Sequence, residues 1–208
     1  MGPLEVLKEL VEGAVRFERG AARAPESVGD RLVPVSSHEP KAVVVGCSDA
    51  RVPVEIVFDQ GVGDLFVVRT AGHVLEPASM ESVVFGVRSL GARLVVVLGH
   101  EGCAAVGMAV SGAAGSEESP VRRGVSDRLV RAGVSIAACG ADETAIPRGE
   151  TGDEAIQAVR ANVEVTVEEI RQALEGQQVD AAEDVLVVGA VYHVGTGRVE
   201  WLDLPALR

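Results

Sequence analysis

Residues 42–47 read Ala-Val-Val-Val-Gly-Cys, a short apolar run that ends in a cysteine. Such a run is typical of a strand buried on both faces of a parallel sheet. Similar runs follow at residues 65–68 (LFVV), 94–98 (LVVVL) and 185–188 (VLVV). Because these runs alternate with segments of helical periodicity, the sequence predicts an α/β fold with a largely parallel sheet.

The segments between the runs carry apolar residues at a spacing of three or four. This periodicity predicts helices over residues 4–18, 79–90 and 154–175, a helix that opens near residue 102, and a further one within 120–138. Residues 190–202 predict a closing hairpin around a Gly-Thr-Gly turn. Residues 19–40 show little periodicity and are expected to form an arm or loop.

Composition narrows the possible functions. The chain has 208 residues, a hydrophobic content of 47% and a formal net charge of -12. So acidic a surface repels phosphate groups, which argues against nucleic-acid partners and anionic membranes. No apolar run approaches the roughly 20 residues that a membrane span needs, and charged residues interrupt the N-terminal apolar stretch, so we expect a cytoplasmic protein.

Soft metal ligands stand where predicted strands end. Cys47 closes the first strand, His100 closes the third, and Cys103 lies three residues further on, at the start of the next helix. Because the carboxyl ends of parallel strands meet at one edge of a sheet, these residues converge if the two strands are neighbours. Two thiolates and an imidazole suit zinc, with Asp49 as a candidate fourth ligand and Arg51 within reach of that carboxylate.

This chemistry leaves two pairs of alternatives open. The three residues are either zinc ligands, or two buried thiols and a histidine whose ring is satisfied by ordinary hydrogen bonds. If zinc is bound, Asp49 either fills the fourth position and makes a closed structural site, or is held away by Arg51 and leaves the site open for catalysis. The residues alone favour neither member of either pair.

Longer motifs carry a resemblance to a known family. Residues 47–53 (CSDARVP), 58–73 (FDQGVGDLFVVRTAGH), 97–103 (VLGHEGC), 188–192 (VGAVY) and 196–197 (TG) resemble the conserved motifs of β-class carbonic anhydrases. They stand in the family's order and spacing. The resemblance covers most of residues 38–105 and 160–202.

The resemblance implies a fold and a mechanism. It implies a single domain over residues 1–208, with four parallel strands, an antiparallel edge strand and flanking helices. Residues 1–40 then form a helix and arm that pack on a dimer partner, within a dimer or tetramer. It also implies zinc bound by Cys47, His100 and Cys103, with Asp49 as a switchable fourth ligand paired to Arg51. In the open state a zinc-bound hydroxide attacks carbon dioxide to give bicarbonate.

The sequence departs from the family around the expected substrate pocket. His38 stands where the family usually has a glutamine that reaches the partner's substrate, and Ala104 stands where it has glycine. Phe85 replaces a common tyrosine, whereas Phe66 matches the other pocket aromatic. We therefore expect these four residues to contact substrate. An exposed loop histidine is an equal alternative for His38.

Three hypotheses for function remain. The first is a carbonic anhydrase, a zinc lyase acting on carbon dioxide and bicarbonate. The second is a zinc hydrolase of the same scaffold acting on carbonyl sulfide or carbon disulfide, which the pocket departures motivate. The third is a non-catalytic protein that keeps zinc as a staple. Cys139 lies in the less readable residues 111–150 and is expected to be a bystander thiol.

Overall fold

Strands and helices alternate along most of the chain. The computed structural model describes residues 1–23, 38–111, 119–136, 152–176 and 185–206. The strands are β1 (Ala42–Cys47), β2 (Leu65–Thr70), β3 (Leu94–His100), β4 (Leu186–Tyr192) and β5 (Val199–Leu202). The helices are α1 (Pro3–Glu18), α2 (Val54–Val57), α3 (Pro77–Arg88), α4 (Ala104–Val110), α5 (Pro120–Arg131) and α6 (Asp153–Gly176), and a 3₁₀ turn spans Ala71–His73.

The strands form one sheet in the order β2-β1-β3-β4-β5. The pairs β1–β2, β1–β3 and β3–β4 are parallel, and β5 runs antiparallel to β4 at the edge. The predicted fold class, four parallel strands with an antiparallel edge strand and flanking helices, is therefore confirmed. Since β1 and β3 are neighbours, their carboxyl ends lie side by side.

Each face of the sheet carries its own apolar core. Val43 and Val45 of β1 enter the core formed with α3, α4, α5 and α6. Val44, which points the other way, enters the core formed with α1 and α2. This alternation explains the continuous apolar runs, because both faces of each central strand exclude water. Burial of all six β1 residues fits this arrangement.

Helix α1 packs on the sheet of its own chain. Its side chains Val6, Leu7 and Leu10 are buried against the second core. A Cβ atom at Gly13 would lie 2.0 Å from the carbonyl oxygen of Phe58, so only glycine allows this close approach. The face that we expected a partner to cover is thus covered by this chain, and contact of α1 with a partner stays a prediction.

The structure adds two short elements that periodicity did not predict. Helix α2 has four residues and the 3₁₀ turn has three, too few to show a repeat of 3.6 residues. The helix predicted within 120–138 is α5, which ends at Arg131. Cys139 lies outside the described residues. Among the residues that are described, no helix is long and apolar enough to cross a membrane.

Candidate metal centre

Three buried ligand residues meet at the carboxyl edge of the sheet. Cys47 is the last residue of β1, His100 is the last residue of β3, and Cys103 is the N-cap of α4. Their sulfur and nitrogen ligand atoms all lie within 4.8 Å of one another. The side-by-side ends of β1 and β3 therefore bring together the three residues that the sequence singled out.

The geometry of this cluster fits zinc. The two sulfur atoms are 4.0 Å apart. Tetrahedral zinc with Zn–S bonds of about 2.3 Å places its sulfur ligands about 3.8 Å apart. His100 Nδ1 lies 2.9 Å from the carbonyl oxygen of Glu101, which only accepts, so Nδ1 carries the proton. The buried Nε2 keeps its lone pair and has no hydrogen-bond partner within the described part of the chain.

The environment of the two cysteines favours one thiolate. A hydrogen bond from Cys103, and further ones from the backbone of Asp49 and Gly72, lower the pKa of Cys47 to about 4 against the effect of burial. The hydrogen bond to Cys47 and burial raise the pKa of Cys103. Because the thiolate is the form that binds metal, the protein environment alone favours the metal-binding form of Cys47.

Asp49 and Arg51 form a bidentate pair beside the cluster. Arg51 Nε donates to Asp49 Oδ1 at 3.0 Å, and Arg51 Nη2 donates to Asp49 Oδ2 at 2.8 Å. These hydrogen bonds are the main reason that the pKa of Asp49 falls to about 2. Asp49 Oδ2 also lies 3.9 Å from His100 Nε2, so the carboxylate stands at the edge of the metal cluster.

Two arginines fix the loop that follows β1. Arg51 Nη2 donates to the carbonyl oxygen of Gly102 at 3.0 Å, which ties this loop to the one after β3. Arg69 donates to the carbonyl oxygens of Cys47 at 2.9 Å and Asp49 at 2.6 Å. Sequence reasoning gave Arg69 no role. The sequence feature that could have indicated a role for Arg69 is its position as a charged residue near the end of an otherwise apolar strand.

The expected substrate residues are divided between two places. Ala104 directly follows Cys103 and is exposed at the start of α4. His38, Phe66 and Phe85, which we call the aromatic cluster, lie together, with ring centroids 6.1 Å apart for His38–Phe66 and 6.2 Å for Phe66–Phe85. Their contact with substrate stays a prediction.

The aromatic cluster is distant from the metal centre of its own chain. Phe66 pairs in register with Val43, whereas Cys47 pairs with Thr70, four residues further along β2. At roughly 3.3 Å per residue, this separation amounts to about 13 Å along the strand. One copy of the chain therefore does not bring the aromatic cluster to its own metal ligands.

Comparison with known proteins gives the family. The family model described as carbonic anhydrase matches residues 42–199, which include all the metal-centre residues described above. The chain belongs to the β-class carbonic anhydrase family. A carbonic anhydrase of Mycolicibacterium smegmatis is 36% identical over 200 residues, which cover 95% of this chain and 92% of that relative.

Other relatives match a shorter part. Carbonic anhydrase 2 of Mycobacterium tuberculosis is 46% identical over 110 residues, 52% of this chain, and the match spans about half (53%) of that relative's length. Among solved structures, a Coccomyxa β-carbonic anhydrase in complex with acetazolamide is 25% identical with a TM-score of 0.66, covering 97% of this chain and 88% of the other. One from Sordaria macrospora, described as tetrameric, has a TM-score of 0.58 at 20% identity, covering 81% and 83%.

Proposed function

We propose that this β-class carbonic anhydrase family member is a zinc-dependent enzyme that interconverts carbon dioxide and bicarbonate. The observation that carries the proposal is the convergence of Cys47, His100 and Cys103 beside the Asp49–Arg51 pair. A staple needs only the ligands. The adjacent ionised carboxylate, held by a fixed cation, is what a catalytic site adds.

Cys47, His100 and Cys103 would hold the zinc and leave one coordination position for the reaction. Zinc in such a site acts as a Lewis acid that lowers the pKa of a coordinated water to about 7. The chain's own contribution is to fix its three ligands. The Glu101 carbonyl orients the imidazole, and burial of all three residues keeps bulk water from competing for them.

Asp49 is proposed to orient the nucleophile and to gate the site. With its pKa near 2, Asp49 is ionised at neutral pH and can only accept hydrogen bonds. A water or hydroxide beside it must therefore turn a proton toward the carboxylate, which directs a lone pair at carbon dioxide. Arg51 holds both carboxylate oxygens, and releasing them would let Asp49 move toward the metal ligands and close the site.

Self-association is proposed to complete the substrate pocket. Two members of the aromatic cluster, His38 and Phe85, are exposed, with Phe85 at 47% relative exposure, and Phe66 lies about four residues of strand away from the metal edge. A second copy that docks on this face would bring its metal centre to the cluster. A dimer or tetramer, in the cytoplasm, is the assembly that we propose.

Stopped-flow measurement of carbon dioxide hydration by the zinc-loaded protein tests the proposal. Between roughly pH 6.5 and 9 the rate should rise with pH as the base form of the site accumulates. A rate no higher than that of buffer would overturn it. Release of sulfide from carbonyl sulfide or carbon disulfide, without carbon dioxide hydration, would instead favour the hydrolase that the changes at His38, Phe85 and Ala104 motivate.

A further inference from the structure

The 3₁₀ turn after β2 makes direct contact with the metal centre. The backbone N–H of Gly72 points at Cys47 Sγ, with the nitrogen 3.4 Å from the sulfur. Two consecutive residues of this turn have left-handed backbone conformations, Gly72 with φ 61° and His73 with φ 45°. For a histidine this conformation costs free energy, so the surrounding structure must impose it.

Asn162 of α6 holds the turn from one side. Its side-chain Nδ2 donates to the carbonyl oxygen of Gly72 at 3.1 Å and contacts Nε2 of His73 at 2.9 Å. The residue is fully buried, and it interrupts the apolar face that Val159 and Val163 form on the same helix. A buried amide on such a face destabilises the fold unless it is hydrogen-bonded, and these bonds all go to the turn.

Arg128 of α5 holds the next carbonyl. Its Nη1 donates to the carbonyl oxygen of His73 at 3.3 Å. Only 2% of Arg128 is exposed, and its Nε and Nη2 donate to Glu169 Oε2 at 2.9 and 2.6 Å. Side chains from two helices therefore fix two successive carbonyls, and this orientation leaves the Gly72 N–H directed at the sulfur.

We propose that Asn162 is a positioning residue of the metal centre, which acts by holding the Gly72 N–H in its hydrogen bond to the Cys47 sulfur. A hydrogen bond to a thiolate withdraws electron density from sulfur, so the sulfur donates less charge to a bound metal, and the metal remains a stronger Lewis acid. This inference rests on the proposed metal function. It assigns to the metal centre a residue, Asn162, that lies about 60 positions after the last candidate ligand, Cys103.

The test compares Asn162→Leu, which removes the amide at similar volume, with Thr166→Val on the same helix. Thr166 is equally buried, but its hydroxyl donates to the carbonyl oxygen of Asn162 and not to the turn. Both variants remove one buried polar side chain. Only Asn162→Leu removes the donor to the turn, so a purely structural role predicts similar behaviour for both.

The main readout is the thiolate-to-cobalt charge-transfer band of the cobalt-loaded proteins. Asn162→Leu should move this band to lower energy, because the sulfur regains electron density. It should also weaken cobalt affinity about 10- to 100-fold in competition with a chelator, because Cys47 is no longer held in its binding orientation. Thr166→Val should keep the wild-type band and stay within about twofold in affinity. Equal spectra for both variants and the wild type would overturn the proposal.

A second measurement uses the unmodified chain and therefore does not depend on either variant folding. In protein loaded with cadmium-113 and labelled with nitrogen-15, the Gly72 amide proton should show scalar coupling to the metal through Cys47 Sγ. Absence of that coupling in a loaded protein overturns the inference alone, and hydration activity would still support the proposed function. Failure of the wild type to take up any metal overturns both.

Discussion

The metal centre and the aromatic cluster lie at different levels of the same sheet and differ in burial and in how closely their side chains converge. At the carboxyl edge, Cys47, His100 and Cys103 are buried and converge to within 4.8 Å. In the aromatic cluster, the rings are about 6 Å apart, and Phe85 remains 47% exposed. One region gathers its candidate ligands within a single chain, whereas the other, in the part of the chain that the structure describes, is an aromatic surface away from those ligands.

This difference indicates which parts of the proposed site one chain supplies and which need a second copy. Sheet topology alone assembles the ligands, because neighbouring parallel strands end at the same edge. The aromatic cluster, which we propose as the substrate surface, lies on the edge strand β2, on α3 and at His38. A single chain therefore supplies all the candidate metal ligands, and on our proposal a second copy completes the substrate pocket.

The largest effect is expected from breaking the metal centre itself. Cys47→Ser removes a thiolate from the ligand set, so hydration activity should fall on the order of a thousandfold or more as the Lewis acid is lost. Zinc content after dialysis, together with stopped-flow rates, measures this. Cys139→Ser is the matched control and should retain zinc and rate. Equal behaviour of the two variants would show that Cys47 is not a ligand.

A smaller effect is expected from loosening the pair beside the metal. Arg51→Gln keeps a polar side chain but loses the bidentate hold on Asp49, and misplacement of an orienting carboxylate by about 1 Å can cost about a hundredfold in rate. Zinc content should be unchanged, which separates this variant from the first.

The matched control for Arg51 is Arg198→Gln, an exposed arginine on the terminal hairpin that lies near Glu200. It should leave the rate unchanged. If Arg51→Gln turns over carbon dioxide as fast as the wild type while zinc stays bound, the pair has no gating or orienting role, and the reading of the zinc as a staple gains support.

A change of about tenfold is expected at the aromatic cluster, if a second copy uses it. Phe85→Ser removes apolar surface and should lower kcat/KM for carbon dioxide by about tenfold, with zinc content unaffected. His38→Gln supplies an amide NH₂ group with two donors in place of one tautomer-dependent ring N–H, and should raise it. Activity that stays constant on dilution to a proven monomer would contradict the proposed division between chain and assembly.

The smallest effect is expected on the pH dependence of stability, through His73. Burial, with the charge of Arg128, lowers the pKa of His73 to about 3. The unfolded chain binds a proton there below about pH 6.5, whereas the folded chain does so only near pH 3, so this residue makes stability fall with decreasing pH between those values.

The variant His73→Asn tests this, since asparagine tolerates the left-handed conformation. In urea unfolding between pH 4.5 and 7, the wild type should lose up to about 1.4 kcal/mol per pH unit relative to the variant. Parallel curves of stability against pH for the two proteins would rule out a buried neutral histidine at this position.

Most of the sheet and the convergence of the three candidate metal ligands were predictable. Apolar runs located β1 to β4, and the position of Cys47 and His100 at strand ends indicated their convergence, which the structure bears out. The short helix α2 and the 3₁₀ turn were not predicted, because four and three residues are too few to show a helical repeat. The helix predicted within residues 120–138 is confirmed as α5, although the sequence did not give its bounds.

The support of the metal centre was not predictable. Asn162 reads in the sequence only as a polar interruption of an apolar stripe, and Arg128 only as one of several charges on α5. Nothing local shows that the first contacts a turn 90 residues away, or that the second donates to a carbonyl 55 residues away.

The sequence by itself therefore determined the class of fold, and it indicated the candidate metal ligands and the carboxylate–arginine pair beside them. These follow from local patterns: continuous apolar runs, a helical repeat of 3.6 residues, the residue types at strand ends and short motifs that resemble the family. Only the tertiary structure decided which helix side chains hold the Gly72 amide against Cys47, and that the aromatic cluster stands away from its own metal centre. Such contacts depend on how whole elements pack, and packing joins residues that no sequence period connects.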